Sequence, residues 1–190
     1  MSDPSTASDP STANGKVVVN RAMSLDGFIA GPGDAMEWVN ELVPPDTIRE
    51  QAAATGAMLI GRRTADVGAR MEAEKPGSVD YPFSGPMFVL THRPPESPDQ
   101  GVTYLSGDIG EAVATARSAA GSKNLEILGG DVAGQCLHRG LVDEILVYVL
   151  PLLLGDGIRF SPPGLPRVDL EPTGSTRLGA VTTLRFNVRR

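Results

Sequence analysis

The chain has 190 residues, 41% hydrophobic and 21% charged, and a formal net charge of -6. That balance fits one globular domain able to bury a core, and the acidic excess excludes a general nucleic-acid binder, which needs a basic face for phosphates. A single cysteine, Cys136, excludes an internal disulfide framework, and two distant histidines, His92 and His138, argue against zinc. With no apolar run of transmembrane length and no signal-peptide pattern, the expectation is a cytoplasmic protein with no membrane partner and no metal.

Residues 2–7 and 8–13 both read SDPSTA. Such a segment cannot offset its ordering entropy, so residues 1–15 are expected to be a disordered tail and 16–190 a single folded domain. Val17, Val18 and Val19 signal a buried strand. A loop over residues 23–34 follows, punctuated by glycine and proline yet carrying Leu25, Phe28 and Ile29. It can act as a lid or pack back on the core. Trp38 can stack on a ligand or plug the core. Asp46 is expected to cap a helix over 47–53. A strand over 57–61 leads into a short helical segment from Arg62, and residues 71–86 read as an irregular connection.

Strands are expected at 87–90 and 102–105, and Asp108 should cap a helix over 109–120. Next comes EILGGDVAGQCLHRG, residues 126–140. It reads as a strand, a Gly-Gly turn and a helix start, and Cys136 falls in the helix as a small core residue. Unpaired N–H groups and the helix dipole make such a turn suited to phosphate, and glycines permit close approach. An apolar strand over 142–154 and two terminal strands, 168–171 and 181–188, complete the pattern. Strands alternating with helices and ending in a hairpin predict an α/β fold: a mostly parallel sheet with an antiparallel C-terminal hairpin.

Three strand ends carry groups suited to an anion: Gly61, Arg62, Arg63 and Thr64; Thr91, His92 and Arg93; and Gly129, Gly130 and Asp131. Ligands of parallel sheets sit at the carboxyl ends of strands, so these clusters should converge. Arginine forks donate to phosphate bidentately.

Residues 58–64 (MLIGRRT), 88–91 (FVLT) and 127–130 (ILGG) resemble, in order and spacing, the cofactor segments of dihydrofolate reductases. Residues 23–30 (MSLDGFIA) are closer to the reductase domain of bacterial riboflavin biosynthesis and its short stand-alone relatives. The resemblance implies a dihydrofolate reductase-like fold with helices on both sheet faces, NADPH as hydride donor, a pterin- or pyrimidine-like substrate and a homodimer. It places Arg62, Arg63 and Thr64 at the phosphates of NADP, and Thr91, His92 and Arg93 near the adenosine 2′-phosphate. Gly129, Gly130, Asp131, Val132 and Ala133 fall along the pyrophosphate and nicotinamide. Met23, Asp26, Phe28 and Trp38 become substrate-side candidates, with Asp26 the candidate for handling a proton. Two departures stand out. Val43 occupies the position, five after the tryptophan, where dihydrofolate reductases carry an acid, and Asn20 replaces a lysine of the riboflavin-type reductases. Folate reduction, and a nucleotide-binding protein without chemistry, remain as alternatives.

Overall fold

A computed structural model describes residues 15–77 and 81–190. The expected tail at 1–14 lies outside the described residues. Gly15 is not part of a free tail: its carbonyl accepts from Arg117 Nη2 at 3.3 Å, and a Cβ there would strike the Lys123 carbonyl at 1.7 Å.

The organising element is β1 (Val17–Ser24). Val17, Val18 and Val19 are each at most 1% exposed, because both faces of this strand are covered. It lies parallel between β6 (Asn124–Leu128) and β7 (Glu144–Leu150). Beyond β6 come β3 (Thr55–Gly61), β4 (Met87–Leu90) and β5 (Val102–Leu105), all parallel. On the other side β10 (Val181–Val188) pairs antiparallel with β7 and with β9 (Leu170–Leu178). The eight-stranded order is β5-β4-β3-β6-β1-β7-β10-β9. The expected mostly parallel sheet with an antiparallel terminal hairpin is what forms.

Side chains alternate between two apolar layers. Val17, Val19, Leu59, Leu125 and Ile127 pack with α4 (Ile109–Ala120) and α5 (Gly130–His138). Val18, Leu146, Tyr148 and Leu150 pack with Trp38 and Val43, at α1 (Glu37–Leu42), and with Ile48 of α2 (Pro45–Ala54). Helices therefore cover both faces. Asp108 caps α4 as expected, accepting from the N–H groups of Gly110 and Glu111.

Several boundaries differ from expectation for local reasons. Pro44, not Asp46, is the cap residue of α2, and Asp46 instead pairs with Arg49 inside the first turn. The segment after β3 is not short: α3 (Arg62–Glu74) runs 13 residues through good helix formers despite Gly68. Between Ser24 and Ala30 the chain is not a free loop. Phe28–Ala30 forms β2, which pairs with β8 (Ile158–Arg159), and Phe28 is 5% exposed. Phe28 and Ile29 pack back on the core, whereas Leu25 is 67% exposed. Strand β7 is shorter than expected and lies inside the sheet, so it offers no free surface, whereas β9 is exposed along its whole length.

Candidate functional site

Strands β3, β4 and β6 are parallel neighbours or one strand apart, so their carboxyl ends share one rim. At the first, Gly61 is the cap residue of α3 and no side chain caps that helix. Arg62 follows; its Nε donates to Asp66 at 2.7 Å and its Nη1 reaches the Arg93 carbonyl at 3.1 Å. Arg63 pairs with Asp34 at 2.7 Å, tying the 3₁₀ turn Pro32–Asp34 to α3, and Arg70 donates to the Gly33 carbonyl at 3.1 Å.

At the end of β4, Thr91 is buried and its hydroxyl accepts from the Arg93 N–H at 3.1 Å. His92 and Arg93 are exposed, and the Arg93 guanidinium has no ion pair among the described residues.

At the end of β6, Gly129 sits at φ 91, where L side chains are rarely found. A Cβ on it would come within 2.5 Å of Thr64 Oγ1, and one on Gly61 within 3.1 Å of Val132. The first turns of α3 and α5 are thus side by side, and neither carries a side-chain cap.

The structure brings Arg62 to Arg93 and Thr64 to Gly129, so the three predicted segments do meet. Gly130 and Asp131 open the first turn of α5, and Asp131 accepts from Gln135 at 2.8 Å. Val132 and Ala133 point into the core, and the Ala133 N–H is taken by the Gly129 carbonyl at 3.1 Å, so Ala133 offers no free donor. Uncapped N–H groups beside arginines form a donor set that fits the phosphates of a dinucleotide. Arg62, Arg63, Thr64, Arg93 and Gly130 are the groups near this rim that could donate to such an anion.

The substrate-side candidates do not form one patch. Met23 packs against the α4–α5 layer and Trp38 against the opposite one, its indole N–H donating to Ala35 at 3.0 Å. Phe28 lies under Arg159, whose guanidinium is 4.6 Å from the ring centroid. Asp26 is a turn clamp. It accepts from the Ser24 hydroxyl at 2.6 Å and from the N–H groups of Leu154 at 3.2 Å and Gly155 at 2.7 Å. The Ser24 hydrogen bond, helped by the two backbone donors, holds its carboxyl below the usual range. These contacts hold Asp26 in the turn as an ionised acceptor, so it is not a proton donor here.

Three buried charges escaped sequence reasoning: Glu126, Arg21 and Glu144, the last paired with Lys16 at 2.8 Å and with Arg185. Glu126, 1% exposed, accepts from Asn20 at 2.9 Å, Thr55 at 2.8 Å and Tyr81 at 2.7 Å. Burial pushes its carboxyl up. Arg21, 7% exposed, donates to the Gly129 carbonyl at 2.6 Å. Glu126 stood in a strand read from the sequence, whereas Arg21 lies beyond Val19, in the part of β1 that the sequence reading did not include. Cys136 is fully buried, and burial pushes its thiol up to about 12. A cavity of about 450 Å³ lies between α1, α2 and the end of α3, lined by Asn40, Val43, Ile48, Met71 and Lys75. Among the described residues no His, Cys, Asp and Glu cluster could hold a metal, and no helix is long and apolar enough to cross a membrane.

The sheet order, the terminal hairpin and the rim define a dihydrofolate reductase-like fold. A solved dihydrofolate reductase from Enterococcus faecalis, complexed with NADP(H), superposes with a TM-score of 0.65 at 17% identity, covering 93% of this chain and 98% of that one. A Shewanella sp. PV-4 protein described as a riboflavin biosynthesis protein gives 0.78 at 24% identity, covering 92% and 99%. Residues 15–184 match the RibD C-terminal domain, and the chain belongs to that family. The riboflavin biosynthesis protein RibD of Corynebacterium ammoniagenes is 26% identical over 151 aligned positions, an alignment that covers 75% of this chain and 44% of that protein. The chain therefore spans less than half the length of that relative.

Proposed function

We propose that the protein is an NADPH-dependent reductase of a pterin- or pyrimidine-like heterocycle, related to the 5-amino-6-(5-phosphoribosylamino)uracil reductase of riboflavin biosynthesis. The observation that carries this reading is the meeting of three strand ends, with Arg62 on the Arg93 carbonyl and Thr64 against Gly129. NADP(H) in the Enterococcus enzyme and the riboflavin role of the Corynebacterium relative support it. NADPH would supply the hydride. The chain's own work is to bind the phosphates at the rim, orient the carrier and exclude water. The exposed edge strand β9 is the surface on which a homodimer would form.

A charged hydrogen bond contributes roughly 1.5–3 kcal/mol. Arg62 is part-exposed and already engaged by Asp66, which reduces its share. Arg62→Ala with Arg93→Ala should therefore weaken NADPH by about ten- to a hundred-fold more than NADH. Equal losses for both would remove the 2′-phosphate assignment. A second reading, a nucleotide binder without turnover, is favoured by Asp26 being clamped in a turn. Loss of NADPH absorbance with a panel of pterins and aminopyrimidines separates the two: binding without oxidation across the panel selects the second.

A further inference from the structure

Arg21 lies on β1, between Val19 and Met23 in alternation, and faces the layer of α5. Its Nη2 donates to the Gly129 carbonyl at 2.6 Å, its guanidinium sits 5.9 Å from the Phe160 ring centroid, and its Nε has no acceptor. No described carboxylate pairs with it. The titratable group facing it, Cys136, is kept protonated by burial and supplies no counter-charge. A desolvated cation without a counter-ion is costly, and an apolar side chain would fill this site more cheaply.

The Gly129 carbonyl also accepts the Ala133 N–H at 3.1 Å, so it points down the helix. A planar trans peptide turns the following N–H the opposite way. The Gly130 N–H therefore points out of the first turn, on the side away from Arg21. A full buried charge stands behind an uncapped helix end, and both raise the potential at the same opening.

We infer that Arg21 is a positioning residue for the diphosphate of the dinucleotide: it fixes the Gly129–Gly130 peptide and places an uncompensated positive charge behind it. The inference rests on the cofactor reading above but differs from it in what it predicts. The rim arginines serve the 2′-phosphate, whereas Arg21 serves the part that NADPH and NADH share.

Calorimetric titration with NADPH, NADH and inorganic pyrophosphate, beside thermal melts, tests it on the wild type, Arg21→Met and Arg21→Lys. One charge acting over about 8 Å at an effective dielectric of about 20 corresponds to roughly thirty-fold in affinity. Arg21→Met should lose about that much for both cofactors, while its melting temperature holds or rises because the desolvated charge is gone. Arg21→Lys keeps the charge and should stay within about fivefold of wild type. Unchanged affinity in Arg21→Met, an equal loss in folded Arg21→Lys, or an unfolded Arg21→Met would each overturn the inference, the last by making Arg21 a structural anchor. Failure of the wild type to bind NADPH refutes the proposed function instead. Pyrophosphate then decides for Arg21: binding that depends on Arg21 sustains the inference, and no such binding ends it.

Discussion

Gly129→Ala should destabilise the protein sharply while Gly130→Ala, one residue on, should not. Gly129 sits at φ 91, ψ 133. Holding an L side chain in such a region costs about 1–3 kcal/mol. The new Cβ would also stand 2.5 Å from Thr64 Oγ1. Threonine is stiff at χ1, so relief requires a rotamer change or a shift of α3, adding about 1–2 kcal/mol. The sum, about 2–5 kcal/mol, lowers the melting temperature by roughly 4–20 °C for a domain of this size. A Cβ on Gly130 meets Ile158 at 3.5 Å, Ile29 at 3.7 Å and the Arg159 carbonyl at 3.9 Å, which is ordinary contact. Alanine there starts a helix without backbone strain and should change stability by less than about 1 kcal/mol. Differential scanning calorimetry of the two variants reads the contrast directly. A Gly129→Ala melt within about 2 °C of wild type, or equal losses in both variants, would refute the account of how the α3 and α5 turns are held together.

Glu126 and Asp26 titrate with opposite signs. Burial raises the Glu126 carboxyl, so the folded state holds that proton more tightly than the unfolded chain. The stability it contributes falls as pH rises from the ordinary glutamate range through its folded value. Glu126→Gln should remove that slope, and urea midpoints that vary with pH identically in both proteins would contradict it. Asp26 is lowered, chiefly by the Ser24 hydroxyl, so its contribution is present above the ordinary aspartate range and lost as pH falls through its folded value. Asp26→Asn should blunt acid unfolding and leave the pH profile of turnover in place; a shifted profile would make Asp26 a proton carrier.

What was legible in the sequence was local. Strands Met87–Leu90 and Val102–Leu105, and the helix Ile109–Ala120 behind Asp108, follow from short apolar runs and a cap within a few residues. What was hidden depends on distant partners. Strand β2 exists because Phe28 pairs with Arg159, far along the chain, and three residues between glycines carry no periodic signal. The Arg63–Asp34 pair joins two segments that both read as loop or helix start. Glu126 could be seen to lie in a strand, Arg21 lay beyond the three valines that marked one, and periodicity gives a face and not a partner. Only the register that sets Asn20 and Thr55 beside Glu126, and the connection that brings Tyr81 to it, show how that charge is met.

Under the proposed function, cofactor and substrate would depend on different parts of the chain. At the rim, backbone turns and helix ends do most of the work. The substrate half needs side chains, and here the chain departs from folate enzymes. Val43, at the position of their acid, is 6% exposed and packed with Val18, Leu146 and Trp38. Buried acids lie on strands instead: three donors already occupy Glu126, and Glu144 pairs with Lys16 and Arg185. A pterin edge laid against Val43 would leave its N–H donors without an acceptor, at about 1–3 kcal/mol for each group. Two such groups give roughly thirty-fold to twenty-thousand-fold in kcat/KM. Dihydrofolate should therefore trail the best aminopyrimidine by at least that lower margin, measured by NADPH oxidation side by side. Comparable turnover of the two would mean that the substrate approaches a different face of α1, and the argument from Val43 would fail.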